Sequence, residues 1–127
     1  MRLTETQAQA LQSRFAEPEF GVHARGSLKE PDMNKTEARY AALLDIRMKA
    51  GEVVWWRFEG VTLKLADDTR YTPDFVLMLR DGTIECHETK GFWRDDALVK
   101  IKVAAAGFPF RFRSFQYKAK QWVGRDF

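Results

Sequence analysis

Two runs of strand-forming residues, Tyr71 to Arg80 and Thr83 to Lys90, lie on either side of Asp81-Gly82. Asp-Gly accepts the positive φ of a tight reversal, so the pair predicts an antiparallel hairpin. This hairpin constrains the chain more than any other feature, because its register determines which side chains share a face. A two-residue loop would set Arg80 against Thr83 and Asp74 against Thr89, mixing apolar with polar residues and turning Glu88 away from Asp74. A three-residue loop, Asp81-Gly82-Thr83, pairs Arg80 with Ile84, Val76 with Glu88 and Met78 with Cys86. The apolar members then gather at the turn, and Asp74, Glu88 and Lys90 gather at the open end. Apolar matching favours this second register.

Around the hairpin the chain reads as alternating helix and strand. Asn34 and Glu37 have capping-box spacing, and Ala41, Leu44 and Met48 continue an apolar stripe that Gly51 ends. Val53 to Phe58 is rich in aromatic and branched residues, and Val61, Leu63 and Leu65 alternate with polar neighbours before the turn signal Asp67-Asp68. After Gly91, Asp95-Asp96 suit the positive end of a helix dipole; Leu98, Ile101 and Ala105 give that helix a core face, and Gly107 stops it. Phe108, Phe110 and Phe112 alternate into a last strand whose parity shifts at Ser114-Phe115, predicting a bulge. The tail from Lys118 leaves strand and helix both open.

The fold class expected is α/β: a mixed central sheet flanked by helices. Residues 34–127 form the main domain. Residues 1–33 form an N-terminal arm, a short helix from Thr4 to Ala16 followed by a loop that carries Pro18, Gly21, Gly26 and Pro31.

Composition limits the function. With 45% hydrophobic and 13% aromatic residues, the 127-residue chain can bury one core. Cys86 is its single cysteine, which excludes an internal disulfide and a cysteine-based zinc cluster. The first residues lack the apolar run of a signal peptide and no stretch reaches membrane-span length, so a cytoplasmic protein without a membrane partner is expected. The net charge of +3 is compatible with a nucleic-acid partner without being diagnostic.

Two carboxylates brought together repel unless a cation or a proton lies between them. Mg²⁺ is typically held by one or two carboxylates with water and substrate phosphate, and a nearby lysine can orient water or neutralise charge developing on phosphate. Without further information, Asp74, Glu88 and Lys90 read equally well as an ordinary cross-strand ion cluster. Glu37 likewise has two readings. It caps the helix with Asn34, or it points toward the sheet with Ala41 and Leu44 as a further carboxylate. His87 and Glu85 fall on the face opposite Glu88, where a solvated or helix-covered histidine is expected.

Pro73-Asp74 followed by Glu88-Thr89-Lys90 resembles the PD-(D/E)XK signature of the restriction-endonuclease-like nuclease superfamily. Within it the chain looks like small phage-associated members, through Met33 to Glu37, Tyr71 to Phe75, Glu88 to Gly91, Asp95 to Ala97 and Lys100 to Lys102. The resemblance covers roughly residues 33 to 117 and implies an α-β-β-β-α-β core. It implies a Mg²⁺-dependent endonuclease acting on DNA, with Mn²⁺ as a substitute ion, encoded by a phage or its bacterial host. Asp74, Glu88, the Thr89 carbonyl and, in one reading, Glu37 would hold the metal, and Lys90 would position the attacking water. Branched DNA is the expected substrate class, and Arg94, Lys100, Lys102, Arg111 and Arg113 are the candidate phosphate contacts. A homodimer is expected because cutting two strands symmetrically needs two sites, with the Phe-rich strand and exposed tryptophans as candidate interface. The competing reading is a non-catalytic nucleic-acid- or protein-binding module of the same fold; an RNA nuclease is a third.

Overall fold

The computed structural model describes Thr4, Glu5, Gln7 and residues 32–127. The chain divides into two units, Met1–Glu30 and Pro31–Phe127. In the first, Thr4 N–H donates to Gln7 Oε1 at 2.9 Å and Gln7 N–H donates to Thr4 Oγ1 at 3.1 Å, the two reciprocal bonds of a capping box. The rest of the expected arm helix, and nearly all of the loop after it, lie outside the described residues.

The second unit opens with α1 (Lys35–Lys49), capped by Asn34 and Glu37 through both bonds of a capping box. Gly51 follows its end at φ 81°, a conformation that costs glycine little. Six further strands and a helix follow β1 (Val53–Phe58): β2 (Leu63–Ala66), β3 (Thr69–Tyr71), β4 (Phe75–Leu79), β5 (Ile84–Thr89), α2 (Asp95–Gly107), β6 (Arg111–Lys118) and β7 (Gln121–Asp126). The main sheet has the order β1-β4-β5-β6-β7, and β2-β3 make a separate hairpin. The β5–β6 pair is parallel and the others are antiparallel, because α2 carries the chain over from β5 to β6 while short turns join β4–β5 and β6–β7. The molecule is therefore mixed α/β, and the undecided tail is strand β7. Among the described residues no helix is long and apolar enough to cross a membrane.

Helices cover both faces of the sheet. On one face Tyr40 and Leu44 of α1 pack with Phe58, Phe75 and Leu77. Under α2 lie Val76, Cys86, Ile101, Ala104 and Phe112, joined by Leu63 and Tyr71 of the small hairpin. Coverage of both faces explains several departures from the sequence pattern. No bulge occurs at Ser114-Phe115: the β5–β6 register runs unbroken from Glu85↔Arg111 to Thr89↔Phe115. Phe115 turns toward Tyr40 while Phe112 and Ser114 stay buried on the other side, so apolar residues on successive positions need no extra residue. Phe108 and Phe110 precede the strand instead of opening it. Met48 is exposed, so the buried stripe of α1 ends at Leu44. None of the four tryptophans is strongly exposed; each packs partly into a core cluster, which removes the basis for a tryptophan interface.

The run Tyr71 to Arg80 is also not one strand. Pro73, which has no N–H to give to a ladder, separates β3 from β4. The hairpin turn has three residues, but they are Arg80-Asp81-Gly82, with Leu79 N–H donating to Thr83 O at 2.9 Å. Pairing is Met78↔Ile84 and Val76↔Cys86, two residues away from the register the sequence suggests. A two-residue slip keeps every side chain on its expected face. It sets Asp74, just before β4, level with Glu88.

The junction from β1 to the small hairpin has no room for a side chain. A Cβ on Gly60 would stand 2.9 Å from Arg57 Cβ and 2.9 Å from Val76 Cγ1. Gly60→Ala is expected to cost about 1–3 kcal/mol in urea unfolding, as overpacking usually does. A cost under a few tenths would show that this junction gives way freely.

Candidate active site

The end of the β4–β5 hairpin farthest from its turn forms the floor of a cleft. Asp74 is held from the backbone outward. Its carbonyl accepts from Glu59 N–H at 2.7 Å, extending the β1–β4 pairing by one step. Its carboxylate Oδ2 accepts from the Thr89 amide at 2.9 Å and the Thr89 hydroxyl at 3.1 Å. Glu88 is only 3% exposed. Tyr71 Oη donates to Glu88 Oε1 at 2.6 Å, and Lys90 Nζ lies 3.4 Å from Oε2.

Burial pushes the Glu88 carboxyl up to about 8, and the neighbouring Asp74 charge pushes in the same direction; the Tyr71 and Lys90 contacts only partly offset them. Near neutral pH the metal-free pair thus holds a proton on Glu88. Tyr71 stays a neutral hydroxyl, held up first by its own burial.

The walls come from both sides. Arg70, Tyr71 and Thr72 of the small hairpin form one, and Trp93, Asp96, Ala97 and Lys100 form the other, enclosing about 250 Å³ above Asp74, Glu88 and Lys90. The ammonium of Lys90 lies 5.9 Å from the Trp93 ring centroid, and Trp93 leans edge-on against Phe127. An acidic floor with a cationic rim is suited to a cation below and a phosphate above it.

Of the residues chosen from the sequence, Asp74, Glu88, Lys90 and Lys100 line this cleft together. Thr89 joins through its bonds to Asp74. Glu37 takes the capping role, its Oε1 accepting from Asn34 N–H at 2.9 Å. It is nonetheless close enough to the floor to feel it: burial and then the Asp74 charge raise its carboxyl against the lowering effect of the Asn34 bond. The structure thus shows the capping reading of Glu37, with its carboxyl within electrostatic reach of Asp74. Arg94 is exposed at the start of α2 with no side-chain capping bond, and Lys102 lies farther along α2 beside Phe127.

Arg111 and Arg113 are not brought to the cleft. They project from the α1 face beside Glu85 and His87 and pair with Glu85 and Asp126. His87 is fully buried there, the helix-covered alternative, with Tyr40 Oη 2.6 Å from Nδ1 and Glu85 Oε1 2.7 Å from Nε2.

Arg70 and Tyr71 were not singled out from the sequence. Their signal was the Asp67-Asp68 turn, which assigns them to a hairpin with Leu63 and Lys64 once Pro73 is allowed to break the strand.

Among the described residues, no three His, Cys, Asp or Glu side chains converge as a ready metal site. Two carboxylates with room for water still fit a hard divalent ion such as Mg²⁺, which commonly takes only one or two protein carboxylates. The fit rests on the Asp74–Glu88 pair: a cation would offset both the burial of the Glu88 charge and its repulsion by Asp74, which together raise the Glu88 carboxyl. Comparisons of the chain with protein-family models, curated proteins and solved structures return no match.

Proposed function

We propose that the protein is a Mg²⁺-dependent endonuclease that hydrolyses phosphodiester bonds in DNA. The observation that carries this reading is the pairing of half-buried Asp74 with buried Glu88, level across the end of a hairpin, with Lys90 beside them and a cationic rim above. Asp74 and Glu88 bind the metal, with the Thr89 carbonyl as a further ligand and Glu37 acting on the site through its charge. The metal supplies a polarised water and neutralises charge on the phosphate. Lys90 orients that water or stabilises the developing charge, and Arg70 and Lys100 position the phosphate backbone. The order α1, β1, β4, β5, α2, β6 supports the same reading, since it follows the α-β-β-β-α-β core of the PD-(D/E)XK class with β2–β3 as an insertion. A branched DNA substrate, a homodimer that cuts both strands and a role in phage recombination or DNA processing belong to this proposal.

The test is a panel of supercoiled, linear, single-stranded and four-way-junction DNA, with single-stranded RNA alongside, in Mg²⁺, Mn²⁺ or EDTA. Cutting is expected only with metal, and Asp74→Asn and Lys90→Ala should each slow it by about 10²–10³-fold or more. Cutting of RNA alone would shift the substrate class. Binding without cutting, unchanged by either substitution, would instead identify a non-catalytic module.

A further inference from the structure

The turn that follows Lys90 carries an aromatic ring that packs nowhere in the described fold. Phe92 is 73% exposed, more than any other large hydrophobic side chain among the described residues. Single exposed apolar residues are common and need no function. Two features set this one apart.

The first is that the turn around it is anchored. Lys90 N–H donates to Phe115 O at 3.0 Å, Gln116 Nε2 donates to Gly91 O at 2.9 Å, and Trp93 is tucked against Phe127. The Phe92 ring is therefore presented next to a backbone held by hydrogen bonds at Lys90 and Gly91 and followed by a packed Trp93 ring. The second is its company. Lys90 and Trp93 line the cleft on either side of it in sequence, and Arg94 comes next. Arg70, Arg94 and Lys100 make no ion pair among the described residues, so their charges are available to a polyanion. Aromatic rings interleaved with unpaired cations beside a groove are the general arrangement by which proteins hold unpaired bases. The rings stack on bases while the cations follow phosphates.

We infer that Phe92 stacks on an unpaired base next to the phosphate held in the cleft. The preferred ligand is then DNA with unstacked bases, such as a single strand, a flap or the opened arm of a branch, ahead of continuous duplex. Bases inside a duplex already stack on each other and offer this ring no free π-face, whereas an unpaired base does. The inference builds on the proposed nuclease reading and names the substrate feature that the same site selects.

The experiment measures binding in EDTA at fixed low salt, so that its result does not depend on cleavage. Affinity is read by fluorescence anisotropy for a single strand and for a duplex of the same length, and stacking by quenching of 2-aminopurine placed along the single strand. The proteins compared are wild type, Phe92→Ala, Phe92→Leu, Phe92→Trp and, as a control for exposed apolar surface elsewhere, Ile46→Ala. Phe92→Ala and Phe92→Leu are expected to lower the single-strand to duplex affinity ratio about tenfold and to remove the quenching. Phe92→Trp should restore both, and Ile46→Ala should match wild type. An unchanged ratio in Phe92→Ala, or equal losses for both DNAs, would overturn the inference, as would absence of any single-strand binding by wild type. Metal-dependent cutting is assayed separately on the same proteins. Binding and quenching that do not respond to the Phe92 substitutions, with cutting intact, refute only the role of Phe92. A clear stacking effect without cutting refutes only the nuclease.

Discussion

Glu88→Gln is expected to make the metal-free protein more stable and to leave it inactive. In the folded chain Glu88 keeps its proton up to about pH 8, because it is buried beside Asp74. In the unfolded chain it ionises near its ordinary value of 4.5. Between those two values the folded state binds the extra proton, so stability is highest at the acid end of that window and falls as pH rises through it. Glutamine occupies the same space, can still accept from Tyr71 and has no proton to lose. The two proteins should therefore unfold alike near pH 5 and diverge steadily above it. By pH 8 the variant should be ahead by on the order of 2 kcal/mol, roughly 8–16 °C in Tm for a domain of this size. Added Mg²⁺ should raise the Tm of the wild type at pH 8 and leave the variant nearly unmoved, and DNA cutting should fall by about 10³-fold or more. Parallel pH profiles for the two proteins would mean that Glu88 holds no such proton.

The second large effect lies on the opposite face of β5. His87→Ala should cost about 3–5 kcal/mol, close to the whole stability of many small domains. His87 sits between Tyr40 and Glu85 with no solvent contact. Burial lowers its tendency to protonate, more strongly than the Glu85 contacts raise it, while the bond to His87 leads in keeping Glu85 ionised. Burial keeps the Tyr40 phenol protonated. One arrangement satisfies all three groups: Tyr40 O–H donates to Nδ1 of a neutral imidazole, and Nε2–H donates to the Glu85 carboxylate. Removing the ring leaves a cavity, an unpaired hydroxyl and a buried carboxylate that retains only Arg111 and Arg113. Tyr40→Phe should cost less, about 1–2 kcal/mol, because it leaves only Nδ1 without its donor. The double variant should lose less than the sum, since both substitutions break one chain of bonds. Additive losses in urea unfolding would show that Tyr40 and His87 stabilise the fold independently.

The identity of the elements was legible in the chain because each carried its own local chemistry. Asn34 and Glu37 mark the start of α1 whatever lies around it, and Gly51 marks its end by the positive φ that its backbone tolerates. The shared face of Asp74, Val76, Cys86 and Glu88 was legible for a similar reason: strand side chains alternate with period two, and only an odd slip moves them to the other side. The placement of Asp74 level with Glu88 was not, because a turn of Arg80-Asp81-Gly82 and one of Asp81-Gly82-Thr83 are nearly equivalent locally. The strands themselves, which pair Val76 with Cys86 and Met78 with Ile84, separate the two.

Which surfaces meet depends on packing across the whole domain. Arg111 and Arg113 look like phosphate contacts along a basic strand, yet the parallel pairing of β6 with β5 aligns them with Glu85 and His87, where charge pairing consumes them. Arg70 and Tyr71 look like the start of a long strand, yet Pro73 detaches them, and their hairpin folds over to wall the cleft. In both cases the deciding contacts join residues far apart in sequence. Local propensity and spacing choose helices, strands and faces; the side-chain partners that set charge, burial and access are chosen by how those faces pack.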